Sequence, residues 1–376
     1  MKLTFYMPLK PPDHLNPSGD LIIGRELHDA LHTGGHDITL ASSLRSRWIY
    51  WKPLTLARML AERRRVITAM HREDPDLWLT YHSYYKAPDM LGPYCSRRAR
   101  VPYVIFQGIY STKRKRNLKT LPGFLLNRNA LVQARMVFTN KRRDEQNLSR
   151  LLPAERLLYI APGVRPEEFT FDRAARTALR DTWRVDDRVV ILTAAMFRPG
   201  VKTDGLLQVI ASCAALLQAG KRLLLVIAGD GRNRAVIEEQ ARQRLGTHFL
   251  LLGKIPRLEL YRYYSAADIF AFPGIQESLG MVYLEAQSAG LPVAAFQDWG
   301  AREAVVDGRT GILSPAAAPD RFTGAIETLL DNAELRRKLG NEARNHIRTN
   351  HDSTVNYGRL VQSLAGIARN RALPGP

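Results

Sequence analysis

Two carboxylates eight positions apart, Glu277 and Glu285, lie within GKIPRLELYRYYSAADIFAFPGIQESLGMVYLEAQSAGLPVAA, the stretch from Gly253 to Ala295. The apolar run ending at Phe272 reads as a strand, Pro273-Gly274 as a loop, and the residues from Gly280 as the opening of a helix. The first backbone N–H groups of such a helix, from Leu279 through Gly280 and Met281 to Val282, lack intrahelical acceptors and carry positive dipole character. That is an anion site, suited to a diphosphate. Gly280 lets the backbone approach a ligand closely. Glu277 before this site and Glu285 about a turn and a half inside it reach opposite ends of a ligand lying across it. Asp74-Pro75-Asp76 spells the D-x-D of metal-dependent enzymes, but it precedes a strand and reads as a helix-to-strand turn. With no His/Cys cluster suited to a metal, no metal or cofactor is expected.

The elements that must hold these groups follow a repeating pattern. Short apolar strands alternate with amphipathic helices, which argues for parallel α/β architecture. Strands are expected at Lys2–Met7, Asp37–Leu40, Leu77–Tyr81, Tyr103–Gln107, Met136–Thr139 and Leu157–Ile160, with helices at Asp20–His32, Leu54–His71 and Leu121–Gln133. The alternation restarts with strands at Val189–Ala194, Leu223–Ala228, Phe249–Leu252, Ile269–Phe272 and Val293–Ala295. Its helices are expected at Gly205–Gln218, Arg234–Arg244, Met281–Ala289 and Ala333–Thr349. The proline-containing, charged APGVRPEEFTFDRAARTALRDTWRVDD reads as a linker and a first helix. The pattern predicts two doubly wound domains, 1–165 and 166–350, and a C-terminal helix within 351–376 that packs back towards the first. Ligands of such sheets bind at the carboxyl ends of the strands, so a cleft between the two domains is expected to hold the site. His82, Gln107 and Gly108, at the ends of the third and fourth strands, would line it, the latter two on the acceptor side.

The Gly253–Ala295 segment closely resembles the retaining GT-B glycosyltransferases of family 4. AADIFAFP, ESLG, LEAQSAG and LPVAA fall in that family's order and spacing. The resemblance implies two Rossmann-like domains and a nucleotide-sugar donor, UDP- or GDP-linked, as substrate. It puts Glu277 beside the donor sugar and Glu285 on the ribose hydroxyls. Gly274 departs from the family, which usually has Ser there. AAMFRPGVKTDGL resembles the family's Arg…Lys-Gly diphosphate clamp and gives that role to Arg198 and Lys202, with Thr203 in place of the usual Gly. Two fixed cations there would oppose the charge developing on the departing diphosphate, work done elsewhere by a metal ion. Gly229 and Asp230 of VIAGDGRNR match the strand-end turn beside the nucleotide, and Ile255 the point where backbone reads the base edge. In Ser18-Gly19-Asp20, Gly19 would meet the diphosphate through its backbone. His82 corresponds to a family His that contacts the donor sugar near the reacting carbon.

Charge adds a second theme. The chain carries a formal +19, and residues 1–165 hold 28 Lys and Arg against 13 Asp and Glu. A basic first half suggests a polyanionic partner. Lys113–Arg116 runs into an apolar helix, a composition suited to an anionic membrane surface. No nucleic-acid fold is recognised, so no nucleic-acid partner is expected. Two distant cysteines, a short apolar run before the N-terminal prolines and no stretch near the roughly 20 apolar residues of a membrane span fit a cytoplasmic protein at the inner membrane face. The combined expectation is a retaining, metal-independent transferase. It would extend a lipid-linked saccharide or glycan acceptor in lipopolysaccharide or other cell-surface polysaccharide biosynthesis. The rivals are a GT-B epimerase or hydrolase, and a non-enzymatic basic nucleic-acid-binding protein.

Overall fold

The structure, a computed structural model, describes residues 1–14, 19–185 and 187–369. Ser18 of the expected helix opening and residues 370–376 of the expected C-terminal segment lie outside the described residues. The chain divides into two compact units, one of Met1–Ala161 with the chain from Thr354 on, the other of Pro162–Ser353. The division thus falls after Ala161, where the sequence pattern had put it after residue 165.

The first unit runs β1 (Lys2–Tyr6), α1 (Gly19–Thr33), β2 (Asp37–Leu40), α2 (Pro53–Glu73), β3 (Leu77–Ser83), α3 (Gly92–Ala99), β4 (Tyr103–Gly108), α4 (Leu121–Gln133), β5 (Met136–Thr139), α5 (Arg142–Leu148) and β6 (Leu157–Tyr159). All pairings are parallel, in the order β2-β1-β3-β4-β5-β6. Every residue of β3 and β4 is buried, as a parallel strand covered on both faces must be. Consecutive strands leave β1 in opposite directions, to β2 and to β3, so the crossover reverses between β1 and β3. At such a switch point two loops diverge and leave room for a ligand.

The second unit runs α6 (Arg173–Trp183), β7 (Val189–Ala194), α7 (Val201–Gln218), β8 (Leu223–Ala228), α8 (Arg234–Leu245), β9 (Phe249–Gly253), α9 (Leu260–Ala266), β10 (Ile269–Ala271), α10 (Met281–Ser288), β11 (Val293–Phe296), β12 (Gly311–Ser314), α11 (Pro319–Asp331) and α12 (Ala333–Asn350). A last helix, α13 (Ser353–Arg369), belongs almost wholly to the first unit, where Asn356 donates to the Ala161 carbonyl at 3.1 Å. The second sheet is also parallel, ordered β12-β11-β10-β7-β8-β9, and its switch point lies between β7 and β10.

Asp268 holds this second sheet to α6. Arg176 donates to it at 2.6 Å, Arg180 at 3.0 Å and the Val190 N–H at 2.8 Å. Burial alone would raise the Asp268 carboxyl, but the two guanidiniums and the N–H hold it below the ordinary carboxylate value. α7 starts at Val201, four residues before its expected start at Gly205. Gly205 instead sits inside the helix, where a Cβ would press on the Phe272 ring.

Near the end of the second unit, His351 Nδ1 donates to the Pro162 carbonyl at 2.6 Å, and its Nε2 lies 3.2 Å from His346 Nε2. The His351 Nδ1 therefore carries a proton, and the Asn350 side-chain N–H lies 3.1 Å from His346 Nδ1, which makes that nitrogen an acceptor. His346 Nε2–H then points at the bare His351 Nε2, and both rings are neutral in this arrangement. Burial first, then the neighbouring His351 and Arg309, bring His346 down to about 4, and burial lowers His351. Between pH 6.5 and about 4 the unfolded chain therefore binds a proton that the folded His346 does not. Stability is lost as pH falls through that window. Thermal melting followed by circular dichroism should show Tm dropping from pH 6.5 to 4.5, with a smaller drop for His346→Gln. Equal slopes for the two proteins would refute the assignment.

Candidate functional site

In the second unit, the loops that diverge at the β7/β10 switch point carry Arg198, Lys202 and Glu277, three of the residues the sequence singles out. The loop after β7 ends at Gly200, which caps α7 with φ 87° and no side-chain cap. Lys202 is thus in the first turn of the helix. The loop after β10 ends at Gly280, which caps α10 with φ 66° and again no side-chain cap. A Lys202–Glu277 ion pair joins the two loops, and the two side chains are 26% and 18% exposed. Lys202 also lies 5.2 Å from the centre of the Phe272 ring. Two helix N-termini, a lysine and a glutamate are therefore assembled by packing before any ligand arrives. Arg198 is exposed on the first of these loops.

Short polar ties fix the loops. Thr203, the residue standing where the family has Gly, is buried. Its hydroxyl donates to the Arg198 carbonyl at 2.7 Å and accepts from Asn233 at 3.0 Å. Asn233 N–H in turn donates to the Phe197 carbonyl at 3.0 Å, and Phe197 N–H to the Asp230 carbonyl at 2.9 Å. The Gly229-Asp230-Gly231 turn thereby lies against the Arg198 loop so closely that a Cβ on Gly229 would overlap the Ala195 carbonyl. Gly229 also donates its N–H to the Gly253 carbonyl at 2.8 Å, tying in the end of β9 just before Ile255. Ile255 itself is half-buried against the core, Leu279 is buried and Met281 is half-buried.

Glu285 is buried, with both carboxylate oxygens engaged. Arg257 Nε donates to one at 2.7 Å and the Tyr264 hydroxyl to the other at 3.0 Å. Burial first and the Glu285 charge second push the Tyr264 phenol well up, so it keeps its proton and remains a donor. Two oxygens offer about four lone-pair sites, so such a carboxylate keeps acceptor capacity for ligand hydroxyls while the two donors fix its direction. Neither partner was legible in the sequence, being 28 and 21 positions away.

Gly274 finds its physical reason here. Its φ is 69°, and a Cβ would overlap the hydroxyl of buried Tyr283, which donates to the Phe272 carbonyl at 2.9 Å. Tyr283 also fills the space beneath Gly280.

In the first unit the ends of β3, β4 and β5 bring polar groups inward. His82 and Gln107 both adopt left-handed backbone, φ 64° and 63°, at neighbouring positions between the Tyr81–Phe106 and Ser83–Gly108 pairs. Both side chains are buried. Neither ring nitrogen of His82 and neither amide atom of Gln107 has a hydrogen-bond partner among the described residues. Asn140, just beyond β5, is also buried with its carbonyl oxygen unsatisfied. Sequence reading missed it, because Thr-Asn-Lys after a strand carries no signal of its own. The His82 Nδ1 lies 3.5 Å from Asp20, in the first turn of α1 beside Gly19, and both line a small cavity with Lys10 and Tyr81. Burial lowers the His82 pKa; Asp20 pulls it up and Lys141 down, leaving a neutral ring at pH 7. Among the described residues no cluster of three or more His, Cys, Asp or Glu is arranged to hold a metal ion.

Residues 177–346 match the family described as glycosyl transferases group 1. The match takes in both diverging loops and leaves residues 1–161 outside it. A curated relative, the GDP-mannose-dependent alpha-(1-6)-phosphatidylinositol monomannoside mannosyltransferase of Mycolicibacterium smegmatis, is 30% identical over 225 residues. That alignment spans 57% of this chain and 57% of the relative, so the chain covers less than two thirds of that protein. Among solved structures, Anabaena HepE in complex with UDP superposes with a TM-score of 0.77 at 18% identity, covering 97% of this chain and 100% of the other. Sucrose-phosphate synthase from Thermosynechococcus elongatus gives 0.76 at 18%, covering 98% and 99%. At such identity the likeness is one of fold. The fold is that of the GT-B glycosyltransferases, α/β with two parallel six-stranded sheets.

Restoring the side chain at Gly274 tests this packing. Gly274→Ser should cost about 1–3 kcal/mol through overlap and backbone strain. Adding Tyr283→Phe should recover part of that loss, read as chemical denaturation midpoints. A Gly274→Ser protein as stable as the wild type would disprove the overlap.

Proposed function

We propose that this protein is a retaining glycosyltransferase that takes its sugar from a UDP- or GDP-linked donor. The observation that carries the reading is the Lys202–Glu277 pair, which joins two uncapped helix N-termini at the switch point of the second sheet. A nucleoside diphosphate supplies the negative charge that both helix ends and Lys202 attract. Exchange of Lys202 from Glu277 to the diphosphate frees that carboxylate for the sugar hydroxyls. Glu285, held by Arg257 and Tyr264, accepts from the ribose hydroxyls, and the turn at Gly229 and Asp230 with the segment at Ile255 flanks the nucleoside. The acceptor hydroxyl enters on the leaving-group side and gives its proton to the departing phosphate. Catalysis is then charge stabilisation by Arg198, Lys202 and the helix ends, together with positioning.

The acceptor is proposed to be a lipid-linked saccharide of lipopolysaccharide or another cell-surface polysaccharide, extended at the cytoplasmic membrane face. Support comes from the basic first half of the chain and from a mannosyltransferase relative whose name carries a phosphatidylinositol glycolipid. None of the described helices is long and apolar enough to cross a membrane. Nucleic acid is not proposed as a partner.

The two carboxylates should separate kinetically. Glu277→Ala is expected to lower kcat roughly 10²-fold, as loss of one preorganised polar group does. Glu285→Gln should instead raise KM for the donor roughly tenfold with a smaller change in kcat. Equal, mild effects in a steady-state assay would remove this assignment. Turnover should also persist in excess EDTA, because Arg198, Lys202 and the helix ends are proposed to take the metal's part. A requirement for Mg²⁺ or Mn²⁺ would contradict it.

A further inference from the structure

In the first unit, six rings form an unbroken series from the buried strand ends to the surface. His82 lies 4.9 Å from Tyr84, and Tyr84 5.6 Å from Tyr85. Tyr85 lies 6.0 Å from Trp48, Trp48 5.8 Å from Tyr50, and Tyr50 5.9 Å from Trp51, all centroid to centroid. The series starts at a buried imidazole and ends at a Trp51 that is 55% exposed; the four rings between are half-buried. It is assembled from two sequence segments that only the topology brings together. The Tyr50 hydroxyl donates to the Tyr85 carbonyl at 3.0 Å, the Trp48 N–H to the Lys86 carbonyl at 2.6 Å, and the Trp51 indole N–H to the Lys119 carbonyl at 3.0 Å. Trp48 is held at φ 57°, a region that bulky residues avoid. Consecutive rings from Tyr84 to Trp51 meet edge to face, at interplanar angles of 84°, 83°, 66° and 61°, so the row is a stepped, half-buried surface that becomes most exposed at Trp51.

The surroundings are cationic. Arg114 lies 4.5 Å over the Tyr85 ring, and Lys86 5.9 and 5.7 Å from Trp48 and Tyr85. A groove beside the row is lined by Arg45, Arg47, Lys52, Arg58 and Arg65, with Glu62 its one acid, bonded to Arg65 at 2.6 Å. No Asp or Glu occurs in residues 41–61 or 109–143. Flat aromatic faces suit the C–H faces of sugar rings, and cations over rings suit charged groups between them. At the inner end, His82 and Gln107 present unpartnered donors and acceptors to a terminal hydroxyl.

We propose that this row of rings and its cationic margin form the acceptor site, and that the acceptor is an anionic saccharide carrying phosphate or carboxylate groups. Sugar rings pack along Tyr84, Tyr85, Trp48 and Trp51, anionic groups meet Lys86, Arg114 and the groove, and the accepting hydroxyl reaches His82. This rests on the transferase reading and deepens it by naming the acceptor's chemistry.

Titration calorimetry and tryptophan fluorescence on the full chain test it. The probes are tetragalacturonic acid, phosphorylated maltotetraose, uncharged maltotetraose and phosphatidylglycerol vesicles, with UDP and GDP alongside. One of the two anionic tetrasaccharides should bind at least tenfold more tightly than the uncharged one and quench tryptophan emission. Trp48→Leu with Tyr85→Leu keeps every charge and should weaken that binding tenfold or more, while Tyr85→Phe stays within twofold of wild type. Trp51→Leu, at an exposed position, should weaken it threefold or more, with circular dichroism and the thermal midpoint checking that the unit stays folded. Nucleotide affinity should be the same in all variants. Unchanged saccharide affinity in the leucine variants would mean charge attraction alone and overturn the proposal. So would saccharide binding that is absent while vesicles bind through the same rings, which would make the row a lipid contact. Failure of the wild type to bind UDP or GDP would instead overturn the transferase reading, separately from the saccharide result.

Discussion

The Lys202–Glu277 ion pair is the contact on which the candidate donor site depends. A lysine in the first turn of a helix is opposed by the helix's own positive end, and here a second helix N-terminus lies in the same constellation. Glu277 supplies a negative charge directly against Lys202, and Asp204 adds another in the first turn of α7, which makes this concentration of positive charge tolerable without a ligand. Because the pair is only partly buried, breaking it costs far less than the roughly 3–5 kcal/mol of a fully buried pair. In the proposed reading a diphosphate displaces the carboxylate, and the site keeps its shape because both helix ends are fixed by the core. Preorganised charge of this kind needs no rearrangement when the leaving group becomes anionic.

That fixity traces to a few buried side chains. Tyr283 supports Gly274 and Gly280 from beneath and closes on the Phe272 carbonyl at the end of β10. Thr203 and Asn233 tie the loop after β7 to the turn after β8. Arg257 and Tyr264 carry Glu285 from α9 and the turn before it, and Asp268 anchors the start of β10 to α6. Each contact links an element of the sheet to one loop of the site. A change at any of them moves the site without touching a ligand.

Much of this was legible because period and punctuation are local. Asp37–Leu40, Leu121–Gln133, Val189–Ala194 and Leu223–Ala228 are elements as expected, their apolar runs bounded by turn residues on both sides. Short α3, α5 and α9 were not expected, nor was β12, since seven or eight helical residues, or four in a strand, hold too little periodicity to stand out. α7 already begins at Val201, whereas Gly205 reads as a helix start because glycine commonly marks a helix boundary. Its actual role, contact with Phe272, is tertiary. The same limit hid Arg257, Tyr264 and Asn140, whose importance comes from partners or strand neighbours far along the chain. Glu277, Gly280 and Glu285 were visible because one loop and one helix contain them all.

The two units meet the cost of their sites differently. The second spends charge on a concentration of positive ends and balances it with a glutamate. The first leaves polar groups unsatisfied. An unpaired buried donor or acceptor costs about 1–3 kcal/mol, and a non-glycine residue in left-handed backbone adds a comparable penalty. His82 and Gln107 bear both at adjacent positions, in the best-buried strands of their sheet. The core that surrounds them would be more stable with apolar residues there. Hydroxyl groups of a ligand, which donate and accept at once, match a neutral imidazole and a carboxamide and recover that loss on binding. Under the proposed acceptor site, the free energy withheld from folding at these strand ends becomes available to orient an accepting hydroxyl.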